Sequence, residues 1–195
     1  MNPDSKFSSP AQASHRRLIW LLVLIALPLA GSLYSSSEAC HMDAHANIPL
    51  HAMLESQGGL VCLALAALML FLGAPKADLG RNANLIIASG LIFGGVLDGF
   101  HAAHPPGNPF VWLRTLSTCG GGLIMALLLW PARMHSRLLP AVALAAALLC
   151  GTHAFFAPDN LPLMIRQGEF TRTAMMMNTI GGLGYLVGTV CLFRN

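Results

Sequence analysis

Apolar runs of about twenty residues recur along almost the whole chain, and a run of that length spans the roughly 30 Å hydrocarbon core of a bilayer as one helix. Six runs are read, at about 17–34, 49–73, 82–103, 110–130, 138–157 and 173–193, with short polar segments between them. At 55% hydrophobic and 10% charged residues, with a mean hydropathy of +0.62, the 195-residue chain is too apolar for a soluble domain. The expected fold class is therefore all-α: a polytopic bundle of six transmembrane helices filling 16–195 as one domain, preceded by a disordered polar tail over 1–15. Pro28, Pro140 and the glycines Gly94, Gly95, Gly120, Gly121, Gly122, Gly181, Gly182 and Gly184 would weaken helices in water. Membrane helices tolerate such residues and use the small ones for close packing.

Arg16 and Arg17 ahead of the first run resemble the basic start of a signal peptide, but the run is long for one and no clean small-x-small cleavage site follows, so a retained helix is expected. Orientation follows from the bias of Lys and Arg toward the cytoplasm. Lys6, Arg16, Arg17, Lys76, Arg81, Arg133, Arg137 and Arg194 all fall on one side of the bundle. The other side holds only Arg114, Arg166 and Arg172, with Glu38, Asp43, Glu55, Asp98, Asp159 and Glu169. Both termini are thus expected in the cytoplasm. The net charge of +3 is a topology signal, and nucleic-acid binding is not expected. Of five cysteines, four lie inside apolar runs and none forms a CxxC pair, so no disulfide framework is expected.

Depth then sorts the eight histidines. His15 and His135 fall on the cytoplasmic side; His41, His45, His51, His101, His104 and His153 map to the other. His51 and Glu55 are four apart and Asp98 and His101 three apart, so each pair shares one helical face. Glu55, Asp98, His101 and His153 all lie within one to two turns of the same interface. A carboxylate at that depth costs several kcal/mol unless it is paired, ligated or neutralised. Imidazole nitrogen and carboxylate oxygen are donors for zinc, iron or copper. A metal site is therefore expected, with His51, His101 and His153 as ligands and Glu55 and Asp98 as ligands or as groups orienting them. Copper or zinc suits this set best, and iron or a haem held by two of the histidines would also fit. His41, His45 and His104 are accessory candidates, as are Met175 and Met176, whose thioethers would favour Cu(I). A competing arrangement needs no metal: Glu55 and Asp98 pair with Arg114 and hydrogen-bond the neighbouring histidines. Each candidate also has a plainer role, with His41 and His45 as solvated loop residues, the methionines as packing, and His104 marking a helix end before Pro105 and Pro106.

The segments IPLHAMLESQGGL and LDGFHAAHPPGNPFVWLRTLSTCGGGL resemble the membrane-associated sensor (MASE-type) domains that form the integral-membrane part of bacterial histidine kinases and diguanylate cyclases. The resemblance covers about 49–123, and its motifs align with His51, Glu55, Asp98 and His101. It implies a sensor of the bacterial inner membrane, with signal input at the outer face and output through the sixth span. The partners it implies are membrane lipids, a second copy in a homodimer, and a cytoplasmic output domain or protein. The sequence departs from the pattern by stopping at Asn195, where an output domain would begin; an isolated sensor module or one acting through a separate partner is expected. The alternative function is an intramembrane zinc-dependent hydrolase of the ceramidase-like type, with Asp98 or Glu55 as general base. It ranks second, because the spans are one short for that superfamily and the histidine pair of its last helix is absent. A transporter is disfavoured, since the inner halves of the spans carry almost no ionisable residues.

Overall fold

Five helices long and apolar enough to cross a membrane are present among the residues described by the computed structural model, 44–71, 78–130 and 137–194, with side chains for 51–71, 83–130 and 137–193. They are α1 (Ala44–Phe71), α2 (Asp78–Ala102), α3 (Asn108–Ala126), α4 (Leu139–Phe156) and α5 (Arg172–Arg194). These correspond to the second through sixth runs of the sequence, with ends displaced by a few residues. The run at 17–34 lies outside the described residues, as do Lys6, Arg16, Arg17, Lys76, Arg133, Cys40 and the histidines His15, His41 and His135. Packing is described for the unit Ile48–Asn195.

Local chemistry sets the helix ends. α2 closes with tightened turns, Ala103 N–H donating to the Phe100 carbonyl at 3.2 Å and His104 N–H to the His101 carbonyl at 3.1 Å. Pro105 and Pro106 follow and have no N–H to extend the ladder. Pro109 and Pro140 each occupy the first turn of a helix, α3 and α4, where a missing N–H costs nothing. α3 tightens into a 3₁₀ turn over Leu127–Leu129 before it ends. Thr171 caps α5, its Oγ1 accepting from Ala174 N–H at 3.4 Å.

The link between α4 and α5 departs from the purely helical expectation. It contains a 3₁₀ turn, Pro158–Asn160, and a two-stranded hairpin, β1 (Ile165–Arg166) against β2 (Glu169–Phe170). Gln167 at φ 55° and Gly168 at φ 84° form its turn, positive φ at both central positions matching the twist of the flanking strands. Asn108 ties this link to the start of α3: its Oδ1 accepts from Met164 N–H at 2.6 Å and its Nδ2 donates to the Pro162 carbonyl at 3.0 Å. Met164 and Leu161 are thereby held in the core with Phe93, Leu97, Trp112, Leu113, Ala147 and Ala154.

Small residues bring the helices together. α3 and α5 meet backbone to backbone at Gly122, Gly181 and Gly184, where a Cβ on any of the three would run into the opposing main chain. α1 and α2 meet at Gly59 and Gly95, and the rings of Phe93 and Phe100 fill the spaces left at Gly120 and Gly151. Large apolar side chains on the outer faces, among them Leu60, Leu149, Phe156, Leu186 and Phe193, stay exposed, which is the inverse of a water-soluble bundle and suits lipid. Gly122→Leu is expected to destabilise the bundle by about 3 kcal/mol or more through overpacking. Gly182→Ala, whose Cβ would meet no atom within 4 Å, is expected to be neutral; thermal unfolding in one detergent compares the two.

Candidate metal centre

Three helices contribute charged or imidazole side chains to one end of the unit. α1 supplies His51 and Glu55, one turn apart, with His51 Nε2 4.0 Å from Glu55 Oε1. α2 supplies Asp98 and His101, and α3 supplies Arg114. Arg114 Nη1 lies 3.3 Å from Glu55 Oε2 and 3.2 Å from Asp98 Oδ1, so one guanidinium nitrogen bridges carboxylates from two other helices. The arrangement that satisfies the acids through Arg114 is therefore formed.

His101 is the most constrained member. Its side chain is 2% exposed, and its ring lies against Phe110 with centroids 3.8 Å apart. Nδ1–H donates to the Phe110 carbonyl at 2.7 Å, an assignment that leaves Nε2 as the lone-pair nitrogen. A backbone acceptor behind one ring nitrogen is the usual way a ligating histidine is oriented. The His51 ring stands edge-on to it, centroids 5.8 Å apart and planes at 72°.

His51, Glu55 and His101 each offer one ligand atom, and these atoms all lie within 4.8 Å of one another. Zinc bonds of about 2.0–2.2 Å in tetrahedral geometry put donor atoms about 3.4 Å apart, so at most roughly 1.4 Å of closure is required. His51, whose side chain is about half exposed, has the freedom to supply it, whereas His101 is fixed. Glu55 divides its two oxygens, Oε2 toward Arg114 and Oε1 toward His51. The donor set fits a borderline transition metal such as zinc or copper.

The remaining candidates lie elsewhere. His153 is exposed on α4 and is not brought to these atoms: that helix buries Ala143, Ala147, Gly151 and Ala154, and His153 stands two residues, about 200°, around from Gly151. Asp98 is held by Arg114 at the edge of the cluster. Met175 and Met176 point outward and are exposed, while Met177 packs against the core. His45 lies in the first turn of α1. His104 packs on Phe155, ring centroids 4.2 Å apart, with its buried Nε2 lacking a hydrogen-bond partner among the described residues. Sequence reasoning missed the Phe110 carbonyl, which orients His101, and the Asn108 side chain, which ties the α4–α5 link to α3. Both follow from the short Pro-rich turn after His104, which returns the first turn of α3 beside the last turn of α2.

No protein-family model, curated protein or solved structure matches the chain.

Two outcomes follow from this geometry. Arg114→Leu is expected to lower stability, and adding Glu55→Gln with Asp98→Asn should recover about 1 to 2 kcal/mol, a coupling read from the thermal unfolding of single and combined variants; additive losses would mean that the bridge carries no energy. Burial holds the His104 imidazole below its ordinary value of 6.5, so the fold favours the neutral ring. Its contribution is complete above pH 6.5 and is lost as pH falls through the lowered folded value. His104→Phe is therefore expected to flatten the acid limb of the Tm profile and leave Tm above neutral pH nearly unchanged.

Proposed function

We propose that this membrane protein is a sensory domain that binds a transition-metal ion, copper or zinc, through His51, Glu55 and His101, and that signals through its last helix. Six spans, with both termini in the cytoplasm and the cluster at the periplasmic end, are the topology that goes with this reading. The distribution of Lys and Arg supports it. The resemblance of the segments around His51 and His101 to membrane-associated sensor domains supports the sensory half, a place in the bacterial inner membrane, and an output domain or protein as partner. The observation that carries the metal half is the convergence of three donor atoms within 4.8 Å, one of them on a buried imidazole whose other nitrogen is already committed.

Glu55 is the pivot of the mechanism. When its carboxylate turns toward the two histidines as a ligand, its pairing with Arg114 weakens, and Arg114 is left to Asp98 alone. Arg114 stands on α3, which meets α5 main chain to main chain at Gly122, Gly181 and Gly184. A change in the seat of α3 is thus felt by the helix that leads to Arg194. Ligand occupancy shifts such an equilibrium only by its different affinity for the two packings, and the exchange of partners at Glu55 supplies that difference.

The test is elemental analysis of purified full-length protein after exposure to copper or zinc and removal of excess metal. Wild type is expected to retain about one equivalent, and His101→Ala and Glu55→Gln to bind about tenfold or more weakly. His153→Ala should retain wild-type metal. Equal retention by all four proteins, or none by wild type, would sink the proposal.

A further inference from the structure

Beneath the Asp98–Arg114 pair lies a cavity of about 400 Å³, within the range of small-molecule sites. α2 faces it with Ile87, Gly90, Gly94 and Asp98, positions that fall on one helical face. Eleven residues separate the first from the last, so the cavity runs about 16 Å along the helix, close to half of a roughly 30 Å hydrocarbon core. Across from it α3 contributes Arg114 at one end and Met125 at the other. Gly90 and Gly94 keep it open, since side chains there would project into it: a Cβ on either meets no atom closer than 3.5 Å. Tyr185 reaches in from α5 over Gly121, which leaves room for its hydroxyl.

The charged groups are confined to one end. Ser117 and Thr118, which also line the walls, donate their hydroxyls to main-chain carbonyls, those of Gly94 and Arg114. The end with free capacity is the charged lip. Both ion pairs of Arg114 use Nη1, which leaves the rest of its donor fork for an anionic oxygen. Asp98 beside it offers carboxylate oxygen to a cation. A cation and an anion 3.2 Å apart, above an apolar slot one leaflet deep, complement a zwitterionic head on an alkyl chain.

From this we infer that the cavity holds one acyl chain of a zwitterionic phospholipid, its phosphate on Arg114 and its ammonium on Asp98. The cavity adjoins the metal cluster: His51, Glu55 and His101 do not line it, whereas Asp98 and Arg114 border both. A singly anionic head would meet Asp98 without a compensating cation, so the lip discriminates by charge pattern.

Native mass spectrometry of the full chain in detergent, titrated with dioleoyl phosphatidylethanolamine or dioleoyl phosphatidylglycerol, tests this. Wild type is expected to retain one phosphatidylethanolamine with about tenfold preference over phosphatidylglycerol, about 1.4 kcal/mol. Gly182→Ala, outside the cavity and with no atom within 4 Å of the added Cβ, should behave as wild type, and Gly90→Leu, which fills the slot, should lose the preference. Equal retention of the two lipids by wild type, or an undiminished preference in a folded Gly90→Leu, overturns the inference. Should Gly90→Leu fail to fold, wild type decides alone: a phosphatidylethanolamine carrying a photoreactive diazirine in its acyl chain must label the α2 segment 87–98, the α3 segment 114–125, Cys62 or Tyr185. Labelling confined to other segments overturns it.

Discussion

The bridge from Arg114 to Glu55 and Asp98 is the interaction on which this end of the bundle depends. Two carboxylates from different helices at the edge of the hydrocarbon would repel each other and demand hydration. One guanidinium, through a nitrogen at 3.2 and 3.3 Å, neutralises half of that charge and ties α1, α2 and α3 together. Hydrophobic burial cannot do this work, because lipid is as apolar as the helices it surrounds. Close glycine contacts and a few polar ties therefore supplement the apolar core.

The same bridge shapes what the cluster can bind. With the histidines neutral, the three charged groups sum to one negative charge, which favours a cation near the free oxygen of Glu55. Arg114 opposes that cation by proximity, so affinity is set by the competition for one carboxylate. His101 takes no part in the competition, since Phe110 fixes its ring from behind. The cluster thus combines a rigid donor with two adjustable ones on α1.

Much of this was legible in the sequence, for identifiable reasons. The five described spans were readable because bilayer thickness imposes a length that composition reveals directly. The shared faces of His51 with Glu55 and of Asp98 with His101 followed from helical spacing, whereas the pairing of both acids with Arg114 stood only as the arrangement competing with a metal. His153 shows what depth omits: it gives the level of a residue in the membrane but not its direction around the helix, and the small residues of α4 that seat it on α2 turn His153 outward. The hairpin at Gln167 and Gly168 left almost no trace, because two paired residues per strand are too few for an alternating pattern. The contributions of Asn108 and the Phe110 carbonyl depend on how one tight turn folds back, which residue type does not encode.

α1 stands apart in how it is seated. Only 11% of its membrane-length window is buried among the described residues, against 44% for α2. Among the described residues it is held by a glycine crossing, by the His51 ring against His101 and Phe110, and by the carboxylate it lends to its neighbour, so the helix carrying two of the three donors is the least buried of the five. The Coulomb attraction in an attachment made of charge grows stronger as its surroundings become drier. How firmly the carboxylate of α1 is held therefore varies with the water that reaches the half-exposed Arg114, a balance between Coulomb attraction and the cost of desolvation.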